Sequence, residues 1–177
     1  AHPPGAPRAR AARRPIARAI GRPMLRRIGK RGVAGMAHWL FKSEPNTWSW
    51  DQQVARGAGG EEWDGVRNYQ ARNNMRAMQI GERGFFYHSL SEKAVVGIVE
   101  VIATAHPDST TDDPRWECVD IKAVAPMPTP VTLAMCKADP RLADMVLVNN
   151  SRLSVQPVSA AEWAVVCELG GLDPALQ

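Results

Sequence analysis

Trp63-Asp64-Gly65-Val66-Arg67-Asn68-Tyr69-Gln70-Ala71-Arg72-Asn73 is the stretch around which the chain is read. It sets an indole, a carboxylate, a glycine and an arginine side by side, just ahead of a helix. Asn68 suits the N-cap, because its side-chain oxygen can accept from an otherwise unpaired N–H of the first turn. This predicts a helix from about Tyr69 to about Met78. Ala71, Met75 and Met78 recur at i, i+4 and i+7 and make its apolar face. Asn68, Arg72 and Arg76 fall on the opposite side. Like charges four apart cost a helix about 0.2–0.5 kcal/mol, so helix stability alone does not explain this face. Arg67 lies at the positive end of the helix dipole, where an anion is favoured. Two readings stay open. One is an aromatic wall, Trp63, beside a basic, phosphate-sized patch of Arg67, Arg72 and Arg76. The other is a core indole next to a solvated helix face.

Upstream of this stretch, His38-Trp39-Leu40-Phe41-Lys42 reads as a first strand. Pro45 forces Glu44 into an extended backbone and ends it. Lys42, Ser43 and Glu44 thus present three different polar groups at a strand end, a position suited to a ligand. Ser49 and Gln52 fit a capping box, predicting a helix from Trp50 to about Arg56 that Gly57 stops. Downstream, Phe85 to Ser89 is an aromatic strand whose end offers Tyr87, His88 and Ser89 to a pocket. Val95 to Ile102 is nearly continuous in β-branched residues, and Gly97 within it marks a bend or a close approach. A strand from Trp116 to Val124 is expected to be closed by Pro126, Pro128 and Pro130. Short helices follow from Thr132 and Pro140. Leu153 to Val158 alternates as a last strand, and Ser159 with Glu162 caps a final helix ending at Gly170. Five to six short strands with small helices between them, and no βαβ alternation, favour a small, mainly antiparallel β-barrel of the α+β class.

A chain of 177 residues supports one domain with a real core. Its net charge of +4 hides an uneven distribution. Residues 1–35 carry ten Arg or Lys and no Asp or Glu; the remainder keeps twelve basic residues against all 18 acidic ones, a net of −6. Any nucleic-acid contact in the folded part therefore comes from a local patch and not from an overall basic field. Residues 1–35 are expected to form a disordered basic extension. A nucleic-acid-binding arm, a transit peptide and a non-native segment preceding Met36 remain alternatives for it. Cys118, Cys136 and Cys167 are odd in number and widely spaced. They read as reduced packing residues of a cytoplasmic protein. No secretory signal is expected, and no apolar run approaches the ~18 residues of a membrane span.

No P-loop, dinucleotide fingerprint or nucleophile elbow occurs, and no His/Cys cluster has zinc spacing. Glu44 and Asp64 are candidate acids, but nothing in the sequence pairs them. The expectation is a non-catalytic binding module with no cofactor and no metal.

Lys42-Ser43-Glu44-Pro45, the central eleven-residue stretch, Phe86-Tyr87-His88-Ser89, Val96 to Val101 and Leu153 to Val158 together resemble the EVE domain family. The resemblance runs in order over most of the folded chain, and the domain is placed at residues 36–172 with a short tail at 173–177. It implies a PUA-like fold, a small barrel with flanking short helices, related to YTH domains. It also implies a reader of modified bases, chiefly modified cytosine in DNA. Such a reader takes the base out of the stack and checks its edge by hydrogen bonds. On this reading Trp63 is one wall of the base pocket, faced by Trp50 or Tyr87. Lys42, Ser43 and Glu44, with the backbone of Gly65 and Val66, read the base edge, and His88 and Ser89 complete the pocket. Arg67, Asn68, Arg72 and Arg76 form the phosphate rim. A binder of RNA or of a small metabolite through the same pocket is the alternative. The partner expected is nucleic acid and not a membrane; an effector protein partner is left unidentified.

Overall fold

The computed structural model describes residues 35–173. The extension expected over residues 1–35 lies, but for Gly35, outside them, as does nearly all of the tail expected over 173–177. Six strands form one sheet: β1 (His38–Ser43), β2 (Glu61–Glu62), β3 (Arg83–His88), β4 (Ala94–Pro107), β5 (Glu117–Thr132) and β6 (Val155–Val158). Their order is β2-β5-β4-β3-β1-β6. The helices are α1 (Trp50–Ala55), α2 (Tyr69–Ala77), α3 (Leu133–Ala138), α4 (Val146–Asn149) and α5 (Ala160–Gly170).

The sheet is mixed. β1 pairs antiparallel with β6 but parallel with β3, in the register Lys42↔Tyr87 and Ser43↔His88. A parallel pair needs a long crossover, and α1, β2 and α2 supply it. The other four pairings are antiparallel, as a mainly antiparallel sheet requires; the parallel β1–β3 pair is the departure from the sequence reading, and the pairing among the described residues forms an open order and not a closed barrel. β5 also corrects the sequence reading, because it runs past Val124 and through its prolines to Thr132. β2 covers the outer edge of β5 only at Asp120 and Ile121. Beyond that point β5 is an edge strand, where a residue without an N–H is tolerated, and Pro126, Pro128 and Pro130 are all exposed.

Helix starts follow their predicted caps. The Ser49, Thr132 and Ser159 side chains each accept from the backbone N–H three residues on, and Asn68 accepts from that of Ala71. The three serine and threonine caps are reciprocal capping boxes.

Alternation along the strands separates two cores, one on each face of the sheet. Leu40, Phe85, Tyr87, Val95, Ile98 and Val131 pack with Trp163 and Val166 of α5. Trp39, Phe41, Phe86 and Val99 pack with Trp50 of α1, Trp63, and Ala71 and Met75 of α2. Each fully buried aromatic or aliphatic side chain contributes about 1.5–3 kcal/mol, so both faces are firmly held. The three cysteines are buried and unpaired.

Candidate nucleic-acid interface

At the C-terminal end of β1 a cleft of about 470 Å³ opens between the turn 44–48 and the loop that leaves β2. This volume lies within the range of small-ligand sites. Lys42, Ser43, Glu44, Trp63, Gly65, Val66 and Arg67 line it, together with Trp48, Asp64 and Ser154, among others.

Trp63 reaches this place by continuing the β2 ladder, its N–H donating to Val119 O at 2.8 Å. Its ring makes T-shaped contacts with Phe41 and Phe86 at centroid distances of 5.3 and 5.7 Å, and at 8% exposure little of it faces the cleft. Trp48 is the second indole. It is half-buried, its Nε1 donates to Gln53 Oε1 at 2.9 Å, and Gln53 Nε2 donates in turn to Ile121 O at 3.0 Å. The Arg56 guanidinium lies 5.5 Å from the Trp48 ring centroid. The sequence reading expected Trp50 or Tyr87 where Trp48 stands.

Trp50 is core. Its ring packs so closely on β4 that a Cβ at Gly97 would lie 2.4 Å from it. Tyr87 belongs to the core of the other face, and Trp63 packs beside its neighbour Phe86 instead. Lys42 follows Tyr87: its ammonium donates to Ser151 O at 2.5 Å and lies 5.6 Å from the Tyr87 ring centroid. Burial lowers the Lys42 pKa. His88 Nε2 accepts from the Trp50 N–H at 3.0 Å, which puts the ring proton on Nδ1, facing Glu92 at 2.9 Å. Ser89 donates twice to Ser43 O, by N–H at 2.8 Å and by Oγ at 3.1 Å. Trp50, Tyr87, His88 and Ser89 therefore support the strand ends and do not line the cleft. Ser43 donates its own hydroxyl to Trp48 O at 2.5 Å and so fixes the turn that carries the second indole.

The Gly65–Arg67 loop is held by a residue the sequence did not single out. Asp108 is buried, and its Oδ2 accepts from Gly65 N–H and from Arg67 Nη1, both at 2.9 Å. Its Oδ1 accepts from the Thr110 N–H at 2.8 Å and hydroxyl at 2.5 Å. Burial pushes the Asp108 carboxyl up, but these hydrogen bonds and the Arg67 charge outweigh it and hold the pKa well below the usual carboxylate range. Gly65 takes φ +75°, a conformation that costs a side-chain-bearing residue. The Gly65 amide is thus engaged inside the loop, as is the Val66 carbonyl, which accepts from Arg67 Nη1 at 3.0 Å. Of the backbone expected to read a base edge, these two groups are occupied within the loop.

The acceptors that do face the cleft are the carboxylates of Glu44 and Asp64; both residues are exposed, and neither side chain has a hydrogen-bond partner among the described residues, the Glu44 backbone carbonyl accepting from the Thr47 and Trp48 N–H groups at 2.9 Å. Asp64 has its pKa raised, first by burial and then by Asp108, Glu62 and Glu61.

The EVE domain matches residues 37–169. The chain belongs to the EVE domain family. Human thymocyte nuclear protein 1 is 34% identical, the alignment covering 78% of this chain and 76% of the relative. A solved protein from Agrobacterium tumefaciens superposes with a TM-score of 0.76 at 61% identity, over 77% of this chain and 94% of that one. A crystal structure of human thymocyte nuclear protein 1 in complex with 5-methylcytosine-containing DNA superposes with a TM-score of 0.72 at 35% identity, over 78% and 99%.

In this EVE domain most of the rim charges are matched locally. Arg76 pairs with Glu117 at 2.8 Å, Arg115 with Asp113 at 2.6 Å and Arg56 with Glu61 at 2.6 Å, besides Arg67 with Asp108. Asn68 commits its side-chain oxygen to the helix cap at 2.9 Å. Of the four residues expected at a phosphate, Arg72 alone carries a charge with no carboxylate partner among the described residues. It donates to Asn73 Oδ1 and to Arg115 O. The cleft itself holds four carboxylates, Glu44, Glu61, Glu62 and Asp64, against Lys42, Arg56 and Arg67. Among the described residues, no helix is long and apolar enough to cross a membrane.

Proposed function

We propose that this EVE domain is a non-catalytic reader of modified cytosine in DNA, taking the base into the Trp48–Trp63 cleft. The observation that carries the reading is the pairing of two indoles with two side-chain carboxylates without hydrogen-bond partners, Glu44 and Asp64, in one cleft roomy enough for a base. The half-buried Trp48 supplies the stacking surface, worth about 1–3 kcal/mol per base, and the little of Trp63 that is exposed adds an apolar contact. Carboxylates accept from the exocyclic amino group of cytosine, which is the donor on that base's edge. The excess of carboxylates makes the cleft a poor home for phosphate, so the backbone runs outside it, on the Arg72 side. The complex of human thymocyte nuclear protein 1 with 5-methylcytosine-containing DNA supports the choice of polymer and base.

A methyl group buried against an indole adds about 0.8 kcal/mol, a preference of about fourfold over unmodified cytosine. The test is a fluorescence titration of the full chain with short DNA duplexes carrying cytosine, 5-methylcytosine or 5-hydroxymethylcytosine at one position. The expected result is tighter binding to a modified duplex, weakened about tenfold or more in Trp48→Ala. Trp48 is chosen because it is only half-buried, whereas Trp63→Ala also removes a core side chain, at about 3–5 kcal/mol of stability. Equal binding to all three duplexes, or no binding, would overturn the reading.

A further inference from the structure

Beside the cleft, α2 and the loop preceding β5 build a second aromatic feature. The rings of Tyr69 and Trp116 stack at a centroid distance of 5.0 Å and an interplanar angle of 25°. Tyr69 is nevertheless 51% exposed, the first turn of α2 presenting it to solvent. Three guanidinium groups surround the pair. Arg67 lies 5.5 Å from the Trp116 centroid, and Arg72 lies 4.8 Å from that of Tyr69 and 5.9 Å from that of Trp116. Arg115 Nη1 donates to the Tyr69 hydroxyl at 3.3 Å.

Burying core surface does not account for an exposed tyrosine held flat against a tryptophan. Carboxylates cancel two of the three charges, through Asp108 and Asp113, and leave that of Arg72. An aromatic plane beside one uncompensated guanidinium is complementary to one nucleotide: a base to stack and a phosphate to neutralise. Arg67 joins the two features, because it lines the cleft and also touches Trp116. We propose that Tyr69 and Trp116 are a stacking platform for the base next to the one held in the cleft, and that Arg72 takes the phosphate between them. This rests on the nucleic-acid reading of the cleft and extends its footprint from one nucleotide to two.

The probe is a single-stranded DNA heptamer with a central 5-methylcytosine, compared with a heptamer whose two flanking nucleotides are abasic. The wild-type chain is expected to bind the abasic heptamer about tenfold more weakly. Tyr69→Ala is expected to bind the intact heptamer about tenfold more weakly and to show no further loss on the abasic one, which is the signature of one shared contact. Arg72→Gln lowers the log–log salt slope by about 0.7, the share of one phosphate on a single strand. Affinity equal to wild type in Tyr69→Ala, with only its melting temperature changed, would show a packing role and overturn the platform. A loss in Tyr69→Ala that persists undiminished on the abasic heptamer would overturn it too. The two readings fail separately. Equal binding of cytosine and 5-methylcytosine heptamers, with the Tyr69 effect intact, removes the modified-base preference and leaves the platform. No binding of any heptamer by the wild-type chain overturns the platform, while the reading of the cleft stands or falls with the duplex titration.

Discussion

Arg67 and Asp108 lie 41 residues apart in sequence, yet the Arg67 guanidinium and the Gly65 amide converge on the same Asp108 oxygen, each at 2.9 Å. The loop between β2 and α2 is shaped by that one buried carboxylate. Asp108→Asn keeps the size of the side chain and removes its charge. Arg67 is partly exposed, so water takes over much of its solvation, and the loss is that of the hydrogen bonds. The expected cost is about 1–3 kcal/mol in urea unfolding, with weaker binding of the 5-methylcytosine duplex because the cleft wall loosens.

The same carboxylate sets an acid limit. The folded-state pKa of Asp108 is depressed below its ordinary 3.8. A depressed carboxylate contributes stability that is fully present above the unfolded value and is lost as pH falls through the folded one. Stability of the wild-type chain should therefore fall as pH drops below 3.8, by up to about 1.4 kcal/mol per pH unit from this group. Asp108→Asn should lack that component, giving a flatter curve of urea midpoint against pH over the acid range. Parallel curves for the two proteins would show that Asp108 is not the group responsible.

Gly97→Ala is expected to be among the most damaging single-methyl changes in the sheet. The added carbon would sit 2.4–2.5 Å from the Trp50 ring, which itself packs edge-on against Phe86 at 5.4 Å. Overpacking of this kind costs about 1–3 kcal/mol, and more where neither side can yield. Thermal unfolding reads the loss. The displaced Trp50 should also change the near-ultraviolet circular dichroism, since it is the partner that must move.

Thiol chemistry provides a readout of unfolding. Burial pushes Cys136 up to about 11 and Cys167 up to about 12. A thiolate is the reactive species, so neither should react with an aromatic disulfide reagent at neutral pH while the chain is folded. Titration in denaturant should release three thiols together, at the midpoint seen by fluorescence.

Local signals in the sequence translated well into local structure. Asn68, Ser49, Thr132 and Ser159 cap the helices their spacing predicts, because a cap depends on atoms within three residues of it. Gly97 was readable as a close approach, though the ring that approaches it was not. Partners distant in sequence were the losses. Nothing near β1 announces its parallel pairing with β3, and nothing in the loop around Asp108 announces Gly65. The prolines of β5 read as terminators because their tolerance depends on which edge of the strand is uncovered. Period-two alternation does separate Phe86 from Tyr87, and with it the two cores. Choosing between Trp48 and Trp50 needed the helix boundary at Ser49: the indole inside the helix turns to β4 and the one before it is left at the cleft.

The position of β1 in the sheet, between β3 and β6, bears on how the protein comes into being. Its neighbour on one side begins 40 residues after its end, and its neighbour on the other is the last strand of the sheet. A ribosome working through this chain delivers β1 long before either partner exists. The cleft also needs Ser154, one residue ahead of β6. The cleft is complete only after β6 has been made, and until then Leu40 and Phe41 lack the partners that bury them on either face.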